Sequence, residues 1–115
     1  MDIRERQQDG VTVIELAGRL TVNDRPGMLK GAVGAAVDRG ARQVVLDLSS
    51  VMYIDSTRLG ELIAAHVTLS RLGGRLQLAG TPARVTELFT MAGLDGVFSR
   101  FDTVGDAVAD GIPRT

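Results

Sequence analysis

Residues 44–62 read VVLDLSSVMYIDSTRLGEL, and the change of character along them decides the architecture. The first five, Val44, Val45, Leu46, Asp47 and Leu48, are almost wholly apolar, which marks a central strand covered on at least one face. Residues 49–55 read as a loop. From Ser56 the apolar positions recur at helical spacing: Leu59, Leu62, Ile63, His66 and Val67 form an inward stripe. That stripe predicts a helix over 56–72, stopped by Gly73 and Gly74.

Moving outward, the same strand-then-helix unit recurs. Residues 75–79, RLQLA, alternate as a strand; Thr81 and Pro82 read as the cap and first position of a helix whose Val85, Leu88, Phe89 and Ala92 face inward. Residues 97–101 predict a last strand. Thr103 and Asp106 supply a T-x-x-D start for a final helix carrying Val104, Ala107 and Val108, and residues 112–115 read as a frayed tail. On the other side, Leu29, Val33, Ala36 and Val37 predict a helix over 24–39, with Pro26 in its first turn and Gly40 as a left-handed cap. Asp9-Gly10 is a turn joining an edge strand at 3–7 to a strand at 11–16. In that second strand Thr12, Ile14 and Leu16 share one face, and Val11, Val13 and Glu15 the other. The expected fold is α/β: one domain over 1–115, with a mixed, mostly parallel sheet of four or five strands, about four helices and an antiparallel N-terminal hairpin.

Composition removes whole classes of function. Thirteen Lys plus Arg against fourteen Asp plus Glu, with 3% aromatic residues and no Trp, provide neither a basic field nor stacking platforms, so no nucleic acid is expected. Without cysteine there is no thiolate chemistry, disulfide framework or cysteine-ligated metal. The polar start MDIRERQQDG is not a signal peptide, and no apolar run nears the ~18 residues of a membrane span, so a cytoplasmic protein is expected. His66, the only histidine, reads as a packed helix position; ten residues of helix put it ~15 Å from Ser56, too far for a relay. Lys30 is the only lysine and lies outside any phosphate-cradling loop. Asp47, Asp55 and Glu61 without histidine are a thin basis for a metal. Neither an enzyme, nor a cofactor, nor a metal site is expected.

Polarity concentrates at one point. Asp55 suits the cap of the 56–72 helix, which puts Ser56 and Thr57 in a first turn whose backbone N–H groups and positive dipole end point outward. Phosphorylation there adds about −1.5 to −2 charges and is received with little rearrangement. Ser56 and Thr57 are either that or ordinary helix-start residues.

Residues 44–60, VVLDLSSVMYIDSTRLG, closely resemble the D-S-[ST]-G-L-G phosphorylation segment of STAS-domain proteins, the bacterial anti-sigma factor antagonists. IELAGRLTVND at 14–24, GGRLQLAG at 73–80 and ARVTELFTMAGLDGVFSRFDTVGDAV at 83–108 are similar to the family's G-x-[IL] turn, its G-G strand and its helix ending before a G-L step. The resemblance spans residues 3–110 and implies a STAS-type fold and a role in partner switching. The unphosphorylated antagonist binds an anti-sigma factor that is an ATP-dependent serine kinase, and so releases a sigma factor. The kinase then phosphorylates the serine after the aspartate, here Ser56 with Thr57 as second candidate, and a serine phosphatase reverses the step. Thr21, Asn23, Asp24, Asp55, Ser56, Thr57, Arg58 and Leu59 are the implied partner contacts, in a monomer or weak dimer. A constitutive STAS subunit of a signalling scaffold or of a lipid-transport ATPase is the alternative.

Two positions depart from the pattern. Arg58 stands where the motif has glycine, and is expected to enlarge the docking surface: it reaches an acidic patch on the partner, pairs with phosphorylated Ser56, or is simply solvated. Thr21 replaces an aspartate that helps engage the kinase; nearby Asp24 either substitutes for it or caps the Pro26 helix.

Overall fold

The computed structural model describes residues 2–20, 27–94 and 96–110. Strand β1 (Asp2–Gln8) and strand β2 (Val11–Leu20) form the antiparallel hairpin. Its turn follows from Asp9 and Gly10, both at positive φ (52° and 80°), the pairing of a two-residue turn that matches strand twist. Helix α1 (Met28–Asp38), strand β3 (Gln43–Ile54), helix α2 (Ser56–Arg71), strand β4 (Arg75–Ala79), helix α3 (Ala83–Met91), strand β5 (Ser99–Phe101) and helix α4 (Val104–Asp110) follow. The sheet order is β1-β2-β3-β4-β5, and every pairing after the hairpin is parallel. The expected α/β class, hairpin and parallel crossovers are all present.

Period-two alternation in β2, β3 and β4 sends side chains to two different cores. Ile14, Leu16, Val44, Leu46, Leu76 and Leu78 pack with α1, α2 and α3 through Leu29, Val33, Leu62, Leu69, Val85 and Phe89. Val11, Val13, Val45 and Ala79 pack on the opposite face against Ala107 and Val108 of α4. Complete burial of one such aliphatic side chain stabilises by about 1.5–3 kcal/mol, so the three-helix face dominates. The short α4 is held by polar contacts as well. Fully buried Gln77 donates from Nε2 to the Ala107 carbonyl (3.0 Å) and accepts from Gln43 Nε2 (2.8 Å). Helix α4 opens as expected, with Thr103 Oγ1 accepting from Asp106 N–H at 3.1 Å.

Several boundaries differ from the sequence reading. Residues 49–54, expected as a loop, continue β3, because β2 also runs on past 16 and pairs with them: Ala17 with Ser50, Gly18 with Val51, Arg19 with Tyr53 and Leu20 with Ile54. Helix α1 starts at Met28 behind Gly27, later than expected; Asp24 and Pro26 lie outside the described residues, as does the tail at 112–115. On α2 the inward face runs through Arg58, Leu59, Leu62, Ala65 and Leu69, so Val67 is 37% exposed rather than part of the stripe. Helix α3 has Pro82, not Thr81, at its N-cap with no side-chain cap, and Ala92 is exposed past its end. The last strand is only three residues long.

Gly74 marks the tightest junction. A Cβ there would sit 2.2 Å from the Arg42 carbonyl oxygen, the same oxygen that accepts from Arg75 N–H at 2.7 Å to start the β3–β4 ladder. Gly74→Ala is therefore expected to lower unfolding free energy by about 1–3 kcal/mol through forced displacement of that strand start. Gln77→Ala should cost about 1–3 kcal/mol, because the Ala107 carbonyl and the Gln43 amide each lose the shorter of their two hydrogen bonds and keep only the 3.3 Å contact with each other. Urea unfolding of both variants checks these values as lowered midpoints at unchanged slope.

Candidate functional site

Strand β3 ends on Ile54 (2% exposed) and α2 seats Leu59 and Leu62 in the core, so the chain between them is pinned at both ends. Asp55 stands at the N-cap in extended conformation (φ −90°, ψ 175°). Its Oδ1 accepts from Arg58 N–H at 2.8 Å and its carbonyl accepts from Leu59 N–H at 2.9 Å. The cap leaves Ser56 and Thr57 as the first two helical residues. Both are exposed, and their N–H groups have no acceptor within the helix. No acidic residue lies within that first turn; the adjacent carboxylate is that of the Asp55 cap itself. The arrangement presents two hydroxyls at a positive helix end, on a rigid base.

Arg58 requires a correction. Expected at the surface, its side chain is instead buried, the residue being 1% exposed. A position three residues into a helix that packs on α1 points inward, and the buried guanidinium finds a carboxylate one turn on: Nη1 lies 2.6 Å from Glu61 Oε2. Reaching a partner's acidic patch, pairing with phosphorylated Ser56 and simple solvation all require a guanidinium on the outside, where it is not. Leu59 likewise gives its side chain to the core (9% exposed). Thr21, Asn23 and Asp24 lie outside the described residues.

The three carboxylates considered for a metal are spent separately. Asp47 Oδ1 accepts from the backbone and hydroxyl of Ser49, Asp55 caps α2, and Glu61 holds Arg58. Among the described residues, no three acidic or histidine groups are gathered as metal ligands. His66 packs edge-on against Phe98 with ring centroids 5.6 Å apart, as a helix residue of the core margin.

Sequence reasoning missed three neighbours of the site. Met52 is 59% exposed on the last stretch of β3, and the guanidinium of Arg19 on β2 lies 5.1 Å above the ring of half-buried Tyr53, its pairing partner on β3. The signal for Met52 and Tyr53 was an apolar triplet, VMY, inside a segment read as loop; Arg19 carried none. Glu61 was visible as a carboxylate three residues after an arginine, a spacing that permits an ion pair without revealing that it is buried.

The family described as "Mlab, STAS domain" matches residues 3–102. BtrV of Bordetella bronchiseptica, whose name places it among candidate anti-sigma factor antagonists, is 33% identical over 91 residues, covering 78% of this chain and 77% of BtrV. The anti-sigma-B factor antagonist of Bacillus subtilis is 28% identical over 97 residues, covering 84% and 85% of the two chains. In fold, the chain is similar to the anti-sigma factor antagonist SpoIIAA in its unphosphorylated form (TM-score 0.79, 19% identity, 98% of this chain and 100% of the other). It is also similar to the Bacillus cell fate determinant SpoIIAA in the phosphorylated form (TM-score 0.73, 18% identity, 95% and 98%). With a match across most of its length and relatives of this kind, the chain belongs to the STAS-domain family of anti-sigma factor antagonists.

Proposed function

We propose that this antagonist binds an anti-sigma factor through the start of α2 while Ser56 is free, and releases it when Ser56 is phosphorylated. The observation that carries the reading is the placement of Ser56: first in α2, exposed, beside N–H groups that the Asp55 cap leaves unused. Thr57 is the second candidate acceptor. In the transfer, Ser56 Oγ attacks the γ-phosphorus of ATP held by the partner; the new O–P bond forms as the bond to ADP breaks, and the hydroxyl proton passes to a base on the kinase. Mg²⁺ and ATP belong to the kinase, and a serine phosphatase reverses the step. This chain supplies a hydroxyl and a surface, acting as ligand and substrate rather than as enzyme. That a protein of the same fold occurs in phosphorylated and unphosphorylated forms supports the reading.

The switch works by charge. A phosphoryl group brings about −1.5 to −2 charges into an interface that already contains Asp55, and a desolvated like-charge contact costs several kcal/mol. Each ~1.4 kcal/mol is a tenfold loss in affinity, so electrostatics alone is enough and the fold need not rearrange. Met52 and the Arg19–Tyr53 pair extend the same surface along the strand end and supply apolar area. The reading places the protein in the cytoplasm, where sigma factors act; no helix among the described residues is long and apolar enough to cross a membrane.

Incubation with ATP and the serine-kinase anti-sigma factors of the same genome, followed by peptide mass mapping, is expected to place phosphate on Ser56. Ser56→Ala should bind the partner like the unmodified protein and accept no label there. Ser56→Asp should bind about 100-fold more weakly, equivalent to ~2.7 kcal/mol. Phosphate on Thr57 alone or on neither residue, or equal affinity of all three forms, would overturn the switch and favour a constitutive STAS subunit.

A further inference from the structure

Glu61 does more than neutralise Arg58. Its second oxygen, Oε1, accepts a hydrogen bond from the Lys30 backbone N–H at 3.4 Å. Lys30 is the third residue of α1, and α1 begins with none of the usual capping groups: Gly27 at its N-cap has no side chain and its first turn has no acidic residue. The first N–H groups of a helix have no acceptor inside it, so the one at Lys30 is served from the neighbouring helix. A carboxylate at that end also meets the positive pole of α1. The contacts form one continuous chain. Asp55 holds the Arg58 backbone, the Arg58 side chain holds one oxygen of Glu61, and the other oxygen holds α1.

We propose that Arg58 and Glu61 are positioning residues: their buried ion pair ties the Ser56 turn of α2 to the first turn of α1, so that partner and kinase meet a preformed corner of two helix starts. The functional half of this inference rests on the reading of Ser56 as the acceptor; the mechanical half does not. Burial supports the mechanical half, because Arg58 and Glu61 side chains are only 2% and 12% exposed, and a pair shielded from water is little screened by salt. Geometry sets the direction of action. Ser56 and Arg58 are two residues apart, on opposite sides of the helix, so Arg58 acts on the acceptor through the position of the turn and not by touching the phosphate. The glycine of the family motif has no side chain with which to make this tie; Arg58 supplies one here.

Amide hydrogen exchange on the full chain tests the tie without any partner. Arg58→Gly, which installs the motif residue, is expected to speed exchange of the Lys30 amide about tenfold although Arg58 does not itself contact that amide, while Leu78 in β4 reports separately the loss of global stability that the broken pair brings. Glu61→Gln, which keeps the shape and removes the charge, should give a smaller acceleration, and Arg58→Lys should restore part of the protection. An unchanged Lys30 amide in both Arg58→Gly and Glu61→Gln overturns the tie. With the cognate kinase, Arg58→Gly should raise KM about tenfold at nearly constant kcat, because docking and not chemistry is altered; unchanged KM with Ser56 still phosphorylated overturns the positioning role. Absence of phosphate from Ser56 in the unsubstituted protein would instead overturn the acceptor assignment, leaving the exchange result to decide the tie.

Discussion

The parallel pairing of β2 with β3 is the constraint on which the rest depends. These two strands lie inside the sheet, each carries apolar side chains on both faces, and together they supply side chains to both cores. Where helices cover both faces, as at Val44 to Leu46, the strand must be apolar throughout. Past Leu48 that double cover ends, Ser49, Ser50 and Met52 are exposed, and the ladder is carried on by backbone pairing together with the inward anchors Val51 and Ile54. The candidate site stands at the end of this outlying ladder, held by the sheet without being enclosed by it.

The site combines two kinds of polar group with opposite needs. Ser56 and Thr57 are exposed at a helix start, where water satisfies their orphan N–H groups until something better arrives. Arg58 and Glu61, one turn deeper, are withdrawn from water and must satisfy each other. Breaking such a buried pair from one side alone typically costs about 3–5 kcal/mol, whereas its net worth against an apolar pair of the same shape is small or negative. Its retention makes more sense as a device for fixing geometry than as a source of stability.

The general plan was legible because it rests on local signals. Asp9-Gly10 is its own turn, β4 was read over its full length from RLQLA between glycine and glycine, and Thr103 with Asp106 identified the start of α4. Asp55 was readable as a cap for the same reason: its hydrogen bond is to a residue three positions away. What failed depended on distant partners. Residues 49–54 looked like a loop because Ser49 and Ser50 are polar, and only pairing with 17–20, some thirty residues earlier, makes them a strand. Arg58 looked solvated because arginine at a helix start usually is, and nothing local shows that α1 will lie across it. Thr81 followed by proline looked like a cap, yet helix α3 begins after Pro82 without one.

The uneven length of the two central strands has an evolutionary corollary. Residues 15–20 of β2 face residues 47–54 of β3, so β3 absorbs two more residues than its neighbour over the same stretch. Those surplus residues set the phase with which Ile54 enters the core, and a change of one would turn the alternate side of the strand inward. Residue identity at 50, whose side chain is exposed and takes no part in the proposed surface, is free to drift among descendants of this gene. The number of residues in the segment is not: lineages can respell that position but cannot lengthen or shorten the segment by one without rotating the serine away from the place where it is presented.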